Sequence, residues 1–338
     1  MTSFWSGLLG KLLGREDLTF QEASEAMRRI LTAEATPAQV AGFAVALRAK
    51  GETPDEAGGL AQAMLDLAPP VETPGPVLDT TGTGGDGAGT MNVSTLAAVV
   101  AAGAGAIVAK HGNRAVSSRC GSADLLEALG VKIAASPEDV ARCLADCGIG
   151  FMFAPVFHPA LSQASGPRGE IGVPTVFDFL APLTNPAGPA SQLVGVPEER
   201  MQAVIAGVLA ARGTRAYVVR GDDGVDEITT TGPTHLMETR GGVVMRRHLL
   251  PIEMGVQVAR RTDLAGGDVE RNVAIAKAVL GGEKGPPRDI VAVNAAAALT
   301  IAGLAEDFEE GLANSLESLD SGRAASALTK WVEASSRV

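Results

Sequence analysis

The sequence is poor in aromatic residues, cysteine and positive charge, and it has no long uninterrupted apolar run. Phe, Trp and Tyr make up 4% of its 338 residues, too few for a surface that binds ligands by stacking them on rings. Cys120, Cys143 and Cys147 are its only cysteines. Such a sparse, odd-numbered set excludes a disulfide framework and reads as reduced thiols of a cytoplasmic protein. Cys143 and Cys147 stand one helical turn apart, without the further ligands that a zinc site requires. Lys plus Arg number 28 against 39 Asp plus Glu, a net charge of −11, so nucleic acid is not an expected partner. No run reaches the roughly 18 apolar residues of a spanning helix, so no membrane partner is expected. The start, MTSFWSGLLGKLLGRED, lacks the cationic region and cleavage site of a signal peptide. Its Phe4, Trp5, Leu8 and Leu9 instead predict a first helix that contacts a second copy in a homodimer.

The chain makes up for these shortages with 41 glycines and a 46% hydrophobic content, which suits close packing and backbone approach to small ligands. Its length predicts two domains. Residues 1–70 form a small all-helical domain: Phe20, Ala23 and Met27 share one face, and Thr36-Pro37 and Thr53-Pro54 open further helices. Pro69, Pro70, Pro74 and Pro76 then mark a hinge. Residues 77–338 form an α/β domain with a largely parallel central sheet, because the apolar runs 77–79, 106–110, 149–153, 193–196 and 215–219 alternate with Ala- and Leu-rich helical stretches. The alternation of Ile228–Leu250 around Gly241-Gly242 predicts a hairpin, and later helices are expected to join the small domain.

Three segments carry chemistry. Asp79-Thr-Thr-Gly-Thr-Gly-Gly-Asp-Gly-Ala-Gly-Thr-Met-Asn-Val-Ser-Thr95 lies between a strand and an Ala-rich helix beginning near Leu96. Its glycines let backbone N–H groups turn inward at a helix N-terminus, where Asn92, Ser94 and Thr95 add polar side chains, so it is shaped to hold phosphate. It is neither a Walker loop nor a Rossmann fingerprint. Lys110-His-Gly-Asn-Arg-Ala-Val-Ser-Ser-Arg-Cys-Gly-Ser122 brings three cations to the end of a strand, where open α/β sheets bind ligands. Asp222, Asp223, Asp226 and Glu227 form an acidic loop that can hold a metal or simply be solvated.

The GTGGD loop and the KHGNR segment resemble those of the anthranilate phosphoribosyltransferases of tryptophan biosynthesis. Matches continue in order through Ala35–Gln39, Phe157–Ala160, Pro182–Pro186, Gly224–Glu227 and Asn294–Ala298. The resemblance implies a nucleoside phosphorylase-like fold, Mg²⁺ as cofactor, and phosphoribosyl pyrophosphate and anthranilate as substrates. It places Gly82, Gly85, Asp86, Thr90, Asn92, Val93, Ser94, Thr95, Lys110, Ser118 and Ser122 around the donor, with Lys110 catalytic. It puts Ser94, Asp226 and Glu227 on the metal, and Gly82, His111, Asn113, His158 and Arg168 around the acceptor. The bland alternative for His158 is a histidine that orders its turn.

Asp178 and Ala181 depart from the resembled pattern, which has Asn and Gly there, and Gly169 replaces a basic residue. The added charge and methyl are expected to weaken anthranilate binding or change the acceptor. Other readings are a related transferase with a different aromatic acceptor, a pyrimidine nucleoside phosphorylase, and a noncatalytic nucleic-acid-binding relative.

Overall fold

The computed structural model describes residues 4–115 and 118–337. Val116 and Ser117 of the second polar segment lie outside the described residues. The chain opens with α1 (Phe4–Leu13), α2 (Phe20–Leu31), α3 (Pro37–Lys50) and α4 (Pro54–Leu67). Three of these start on reciprocal caps, Thr19 with Glu22, Thr36 with Gln39 and Thr53 with Glu56. Each threonine side chain accepts a backbone N–H of the first turn while the Glu or Gln accepts the threonine's own N–H. Pro37 and Pro54 then supply a preset φ where no N–H is needed. Glu56 has a second task, since its fully buried carboxylate also accepts from the Leu18 amide at 2.8 Å and pairs with Lys50 at 3.0 Å. One side chain thereby ties the entry to α2, the end of α3 and the start of α4.

The apolar face of α1 is used within the chain. Trp5 meets Phe43 of α3 edge-on at 6.0 Å, and Trp5 and Leu8 are buried. Their apolar character, read in the sequence as a contact with a second copy, is satisfied by α3.

The body then runs β1 (Leu78–Gly82), α5 (Val93–Gly103), β2 (Val108–Gly112), α6 (Ser122–Ala128), α7 (Pro137–Cys147), β3 (Ile149–Phe153), α8 (Ala154–Phe157), α9 (Ser165–Ile171), β4 (Ser191–Gly195), α10 (Glu199–Ala211) and β5 (Arg215–Gly221). It ends with the hairpin β6 (Thr234–Arg240) and β7 (Val243–Leu249), followed by α11 (Val269–Leu280), α12 (Pro286–Ala302), α13 (Phe308–Asp320) and α14 (Arg323–Ser336). The seven strands lie in the order β3-β2-β1-β4-β5-β6-β7, parallel from β3 to β5 and antiparallel beyond it. Gly241 and Gly242 make the hairpin turn at φ 59° and 80°, the positive angles that match the twist of the strands.

Alternate strand residues serve two cores. Leu78, Leu193 and Val219 pack with α5 and α12, whereas Val194, Ala216, Val218 and Met237 pack with α2, α3, α4 and α10. The first helices are thus continuous with one face of the sheet. Helix α9 and the 3-10 turn Pro159–Ala164 also pack against α3 and α2. Because β1 lies between β2 and β4, the order reverses at β1, and a crevice opens at the C-terminal ends of β1 and β4.

Replacing Glu56 with Ala removes one of the two carboxylates paired with the nearly buried Lys50 ammonium, one cap, and the acceptor of the buried Leu18 amide. Urea unfolding is expected to show a loss of about 3 kcal/mol, against about 1 kcal/mol for Thr36→Ala, which removes one cap.

Candidate active site

The two strands bordering the crevice both end in glycine, and Gly82 and Gly195 are paired in register. A Cβ on Gly82 would lie 2.3 Å from Asp226 Oδ2, and one on Gly195 would lie 1.6 Å from the Asp226 carbonyl oxygen. The glycines are therefore what allows the acidic loop to come down onto the sheet. Beyond β1 the chain turns through Gly84, Gly85, Gly87 and Gly89, at φ 68°, 78°, 61° and 66°, before entering α5 at Val93 rather than near Leu96. This left-handed backbone strains any residue with a Cβ. The far side of the loop is fastened to another segment: Met91 N–H donates to the Leu264 carbonyl at 3.1 Å and Gly266 N–H to the Gly89 carbonyl at 2.9 Å, with Thr90 bridged to Ala265.

Asp226 and Glu227 face the amides of this loop. Asp226 Oδ2 accepts from Gly84 N–H at 2.8 Å, and Glu227 Oε1 accepts from Ser94 N–H in the first turn of α5 at 3.0 Å. Each acid stands on a donor expected to serve phosphate, where the helix dipole favours an anion. Desolvation still dominates: it pushes the Asp226 carboxyl up to about 6, aided by the charge of Asp86, and holds Glu227 well above its ordinary range, aided by Asp226. The described residues contain no cluster of three His, Cys, Asp or Glu side chains able to enclose a metal. A hard cation here would therefore take two carboxylates from the chain and its remaining oxygens from hydroxyl, water or a phosphorylated ligand, the usual arrangement for Mg²⁺. The residues fit such an ion, and its positive charge would relieve the repulsion that raises both carboxyls.

Lys110 lies beneath this pair. It is 2% exposed on β2, and its Nζ donates to the Thr80 carbonyl. Burial lowers its pKa, while Asp79, Glu227 and Asp226 raise it. Asp79 is fully buried in β1, its carboxyl pushed up to about 6 by desolvation and held back chiefly by the charge of Lys110. Its oxygens accept from His111 N–H at 3.2 Å and from Asn185 Nδ2 at 2.8 Å. Thr80 Oγ1 donates to the Ser94 carbonyl at 2.9 Å, which joins β1 to the start of α5.

His111 and His158 meet edge-on with ring centroids 5.2 Å apart. His111 Nδ1 lies 3.1 Å from the Ala181 carbonyl and His158 Nε2 lies 2.8 Å from the Thr184 carbonyl. A carbonyl only accepts, so each of these nitrogens carries the proton. The Nε2 of His111 is left buried without a partner and is the acceptor end of the neutral ring. Desolvation, with the neighbouring His158 and Lys110, drives the His111 pKa down to about 3, so the ring stays neutral.

The remaining sequence-predicted residues divide. Val93 and Thr95 are buried in α5, and Asn92 Nδ2 donates to the Cys120 carbonyl at 3.0 Å while its Oδ1 is buried and unpartnered. Ser122 Oγ donates to the Asn113 carbonyl at 3.2 Å, Asn113 Oδ1 accepts from Arg114 N–H, and Ser118 Oγ reaches the Cys120 carbonyl. Gly85 and Asp86 lie in the glycine loop, where Asp86 Oδ1 accepts from Ala88 N–H at 3.0 Å. Of the three cations expected to gather around an anion, only Lys110 turns inward. Arg114 pairs with Asp124 and Glu127, and Arg119 lies 3.8 Å from Asp268, because carboxylates on α6 and at the start of α11 compete for both. Arg168 is engaged by Asp178 at 2.8 Å, and Asp178 also accepts from Thr175 N–H. Among the described residues, no hydrogen bond or ring contact joins Arg168 to His111, Asn113 or His158. Sequence reasoning missed Asn185, the carbonyls of Ala181 and Thr184, and the supporting role of Asp79. An Asp inside a strand directly before the glycine loop, in a position where burial leaves a carboxylate dependent on partners, is the signal that could have found Asp79.

The chain matches two family models, "Glycosyl transferase family, helical bundle domain" over residues 6–68 and "Glycosyl transferase family, a/b domain" over residues 74–325. The anthranilate phosphoribosyltransferase of Saccharopolyspora erythraea is 49% identical, covering 100% of this chain and 98% of the relative. The crystal structure of anthranilate phosphoribosyltransferase from Thermus thermophilus superposes with a TM-score of 0.92 at 44% identity, covering 97% of this chain and 99% of that one. The Saccharomyces cerevisiae anthranilate phosphoribosyltransferase, solved in complex with PRPP and Mg, gives a TM-score of 0.91 at 28% identity and covers 99% of this chain and 98% of that one. The same yeast protein has also been solved with 4-fluoroanthranilate.

The raised carboxyl of Asp226 fixes the sign of a pH effect. Between its ordinary value of 3.8 and about 6, the folded state keeps a proton that the unfolded state has released, so this group's contribution to stability falls as pH rises through that window. Asp226→Asn retains an acceptor for Gly84 N–H without the charge. Thermal melts without metal should therefore show the variant gaining on the parent from about pH 4 to about pH 7, by a few degrees. A gap independent of pH would contradict the desolvated carboxylate.

Proposed function

The chain belongs to the anthranilate phosphoribosyltransferase family, and on that premise we propose that it transfers the phosphoribosyl group of phosphoribosyl pyrophosphate to the amine of anthranilate, releasing pyrophosphate, in tryptophan biosynthesis. The observation that carries the reading is the meeting of Asp226 and Glu227 with the amides of Gly84 and Ser94 over the buried Lys110. A glycine loop and a helix N-terminus that receive phosphate oxygens, with two carboxylates opposite, suit a pyrophosphate donor carried with a divalent cation. We assign Mg²⁺ to Asp226, Glu227 and the Ser94 hydroxyl, where the ion would offset charge on the departing pyrophosphate.

The chain's own groups then divide the work. Gly82, Gly85, Asp86, Thr90, Asn92, Val93, Ser94, Thr95, Ser118 and Ser122 surround the donor in this reading, and the Lys110 ammonium, fixed by Thr80 and Asp79, stabilises the leaving group electrostatically. Gly82, His111, Asn113, His158 and Arg168 surround the acceptor. The bond from the anomeric carbon to pyrophosphate breaks as the bond to the amine nitrogen forms, and the nitrogen then gives up a proton. Neutral His111, held by the Ala181 carbonyl with Nε2 free, can accept an amine N–H in a hydrogen bond and so orient the nucleophile. Arg168 would bind the carboxylate in a bidentate pair, in competition with Asp178.

The described helices include none long and apolar enough to cross a membrane, and we place the enzyme in the cytoplasm. We keep the homodimer as part of the proposal, resting now on Leu13 and Val45, which are 78% and 46% exposed on α1 and α3.

Loss of anthranilate fluorescence in the presence of phosphoribosyl pyrophosphate and Mg²⁺ tests the reaction. Turnover is expected in the parent, with kcat/KM reduced by roughly 30-fold or more in Arg168→Ala, a loss of about 2 kcal/mol in charge-assisted bonding, and by more than about a hundredfold in Asp226→Asn/Glu227→Gln. Asp178→Asn should lower KM for anthranilate by about twofold to fivefold, since it releases a part-exposed ion pair of roughly 1 kcal/mol or less. No turnover in the parent, despite Mg²⁺-dependent donor binding, would send the acceptor assignment to another aromatic amine.

A further inference from the structure

The segment Asn294–Ala298, one of the matches to the family pattern, contributes no group to the site as assigned. It lies within α12, where Asn294 is the only polar residue between Ile290 and Leu299. Asn294 is fully buried, and so is Ile228, the residue that follows Glu227. A carboxamide in such a place costs stability unless its donors and its acceptor are all met. They are met, chiefly by one residue of the acidic loop. Asn294 Oδ1 accepts from Ile228 N–H at 3.0 Å, and its Nδ2 donates to the Ile228 carbonyl at 2.9 Å and to the Ile290 carbonyl, one turn back in its own helix, at 2.8 Å. The flipped amide would set a donor against Ile228 N–H and an oxygen against two carbonyls, so the pairing itself fixes the orientation.

Peptide geometry carries this hold to Glu227. The N–H of Ile228 and the carbonyl of Glu227 belong to one planar unit, so holding that N–H sets the plane from which the Glu227 side chain departs on its way to Ser94 N–H at 3.0 Å. The other flank of the loop is closed on itself: Gly221 N–H donates to the Val225 carbonyl at 2.9 Å, and Asp223 Oδ2 accepts from the Thr229 and Thr231 hydroxyls at 2.8 Å and 2.5 Å. Asp226 and Glu227 thus stand between a self-contained turn and an anchored residue. The helix that supplies the anchor also packs along α5, with Ala295, Ala297 and Ala298 buried in the same core as Val93, Leu96 and Val100. One helix therefore supports both ends of the contact, the Ser94 amide through α5 and the Glu227 carboxylate through Ile228.

We propose that Asn294 is a positioning residue for the acidic pair: by holding the Ile228 peptide it places the Glu227 carboxylate where a divalent cation carried with the donor meets it. This role presupposes the metal assigned to Glu227 in the reaction above.

The test uses the full chain and phosphoribosyl pyrophosphate, titrated calorimetrically with Mg²⁺ and with the metal chelated, followed by kinetics at varied Mg²⁺. Asn294→Leu, which keeps the bulk and loses all three bonds, is expected to bind the donor at least about tenfold more weakly with Mg²⁺ and about as well as the parent without it. Asn294→Ala should do the same, and the space it opens can admit a water to the Ile228 groups, so the result does not depend on the leucine variant folding normally. In turnover, both variants should need about tenfold more Mg²⁺ for half-maximal rate while KM for anthranilate stays close to the parent's. Gln202→Leu removes another buried amide, which donates to the Val218 and His235 carbonyls from α10 on the opposite face of the sheet, and should leave the Mg²⁺ dependence unchanged. Equal Mg²⁺-dependent affinity in the parent and the Asn294 variants overturns the role. So does an equal loss in Gln202→Leu, which would reduce Asn294 to a support of the fold. A parent whose donor binding ignores Mg²⁺ would instead overturn the metal assignment on which the role rests, and the two failures are thus separable.

Discussion

Two carboxylates set on backbone amides are the interaction on which the rest of the site depends. Asp226 and Glu227 reach Gly84 and Ser94 only because the strands beneath them end in Gly82 and Gly195. The contact brings negative charge to a place whose own backbone is built to attract it. It also leaves the charge poorly compensated: desolvation raises both carboxyls, and Lys110 is the one buried cation that faces them among the described residues. A site in this condition favours a ligand that brings cation and anion together, a metal with a phosphorylated donor. The geometry and the electrostatics therefore lead to one class of chemistry.

The scaffold makes that contact repeatable. Reversal of strand order at β1 opens the crevice, the segment after Leu264 clips the glycine loop from one side, and Asp79 fixes the backbone of β2 from below through His111 N–H. The acceptor side is held by a different device. There, backbone carbonyls of a single short turn set the tautomers of two histidines, so the pocket depends on main-chain position more than on side-chain identity. Asp178 is the exception, since its side chain occupies the arginine that an acceptor carboxylate would use.

Much of this was legible in the residues. Thr-Pro pairs marked the starts of α3 and α4, period and apolar runs marked the parallel strands, and Gly241-Gly242 marked the hairpin, because each of those signals acts through local backbone physics. The glycine loop and the acidic pair were visible for the same reason. What stayed hidden depends on contacts distant in sequence. Gly195 looks like an ordinary strand end until Asp226, 31 positions away by their numbers, descends on it. Arg114 and Arg119 look like ligands for an anion until α6 and α11 supply carboxylates to them. Trp5 and Leu8 look like a dimer surface until α3 covers them, and a carbonyl such as that of Ala181 leaves no trace in side-chain chemistry at all.

If the loop and the acidic pair form one donor site, its charge is balanced only when a divalent cation arrives with the donor. Calorimetric titration of phosphoribosyl pyrophosphate into the protein, without anthranilate, with Mg²⁺ and again with the metal chelated, addresses it most directly. Saturable binding is expected with Mg²⁺ and at least about tenfold weaker binding without it, the equivalent of about 1.4 kcal/mol. Equal affinity in the two titrations would contradict it.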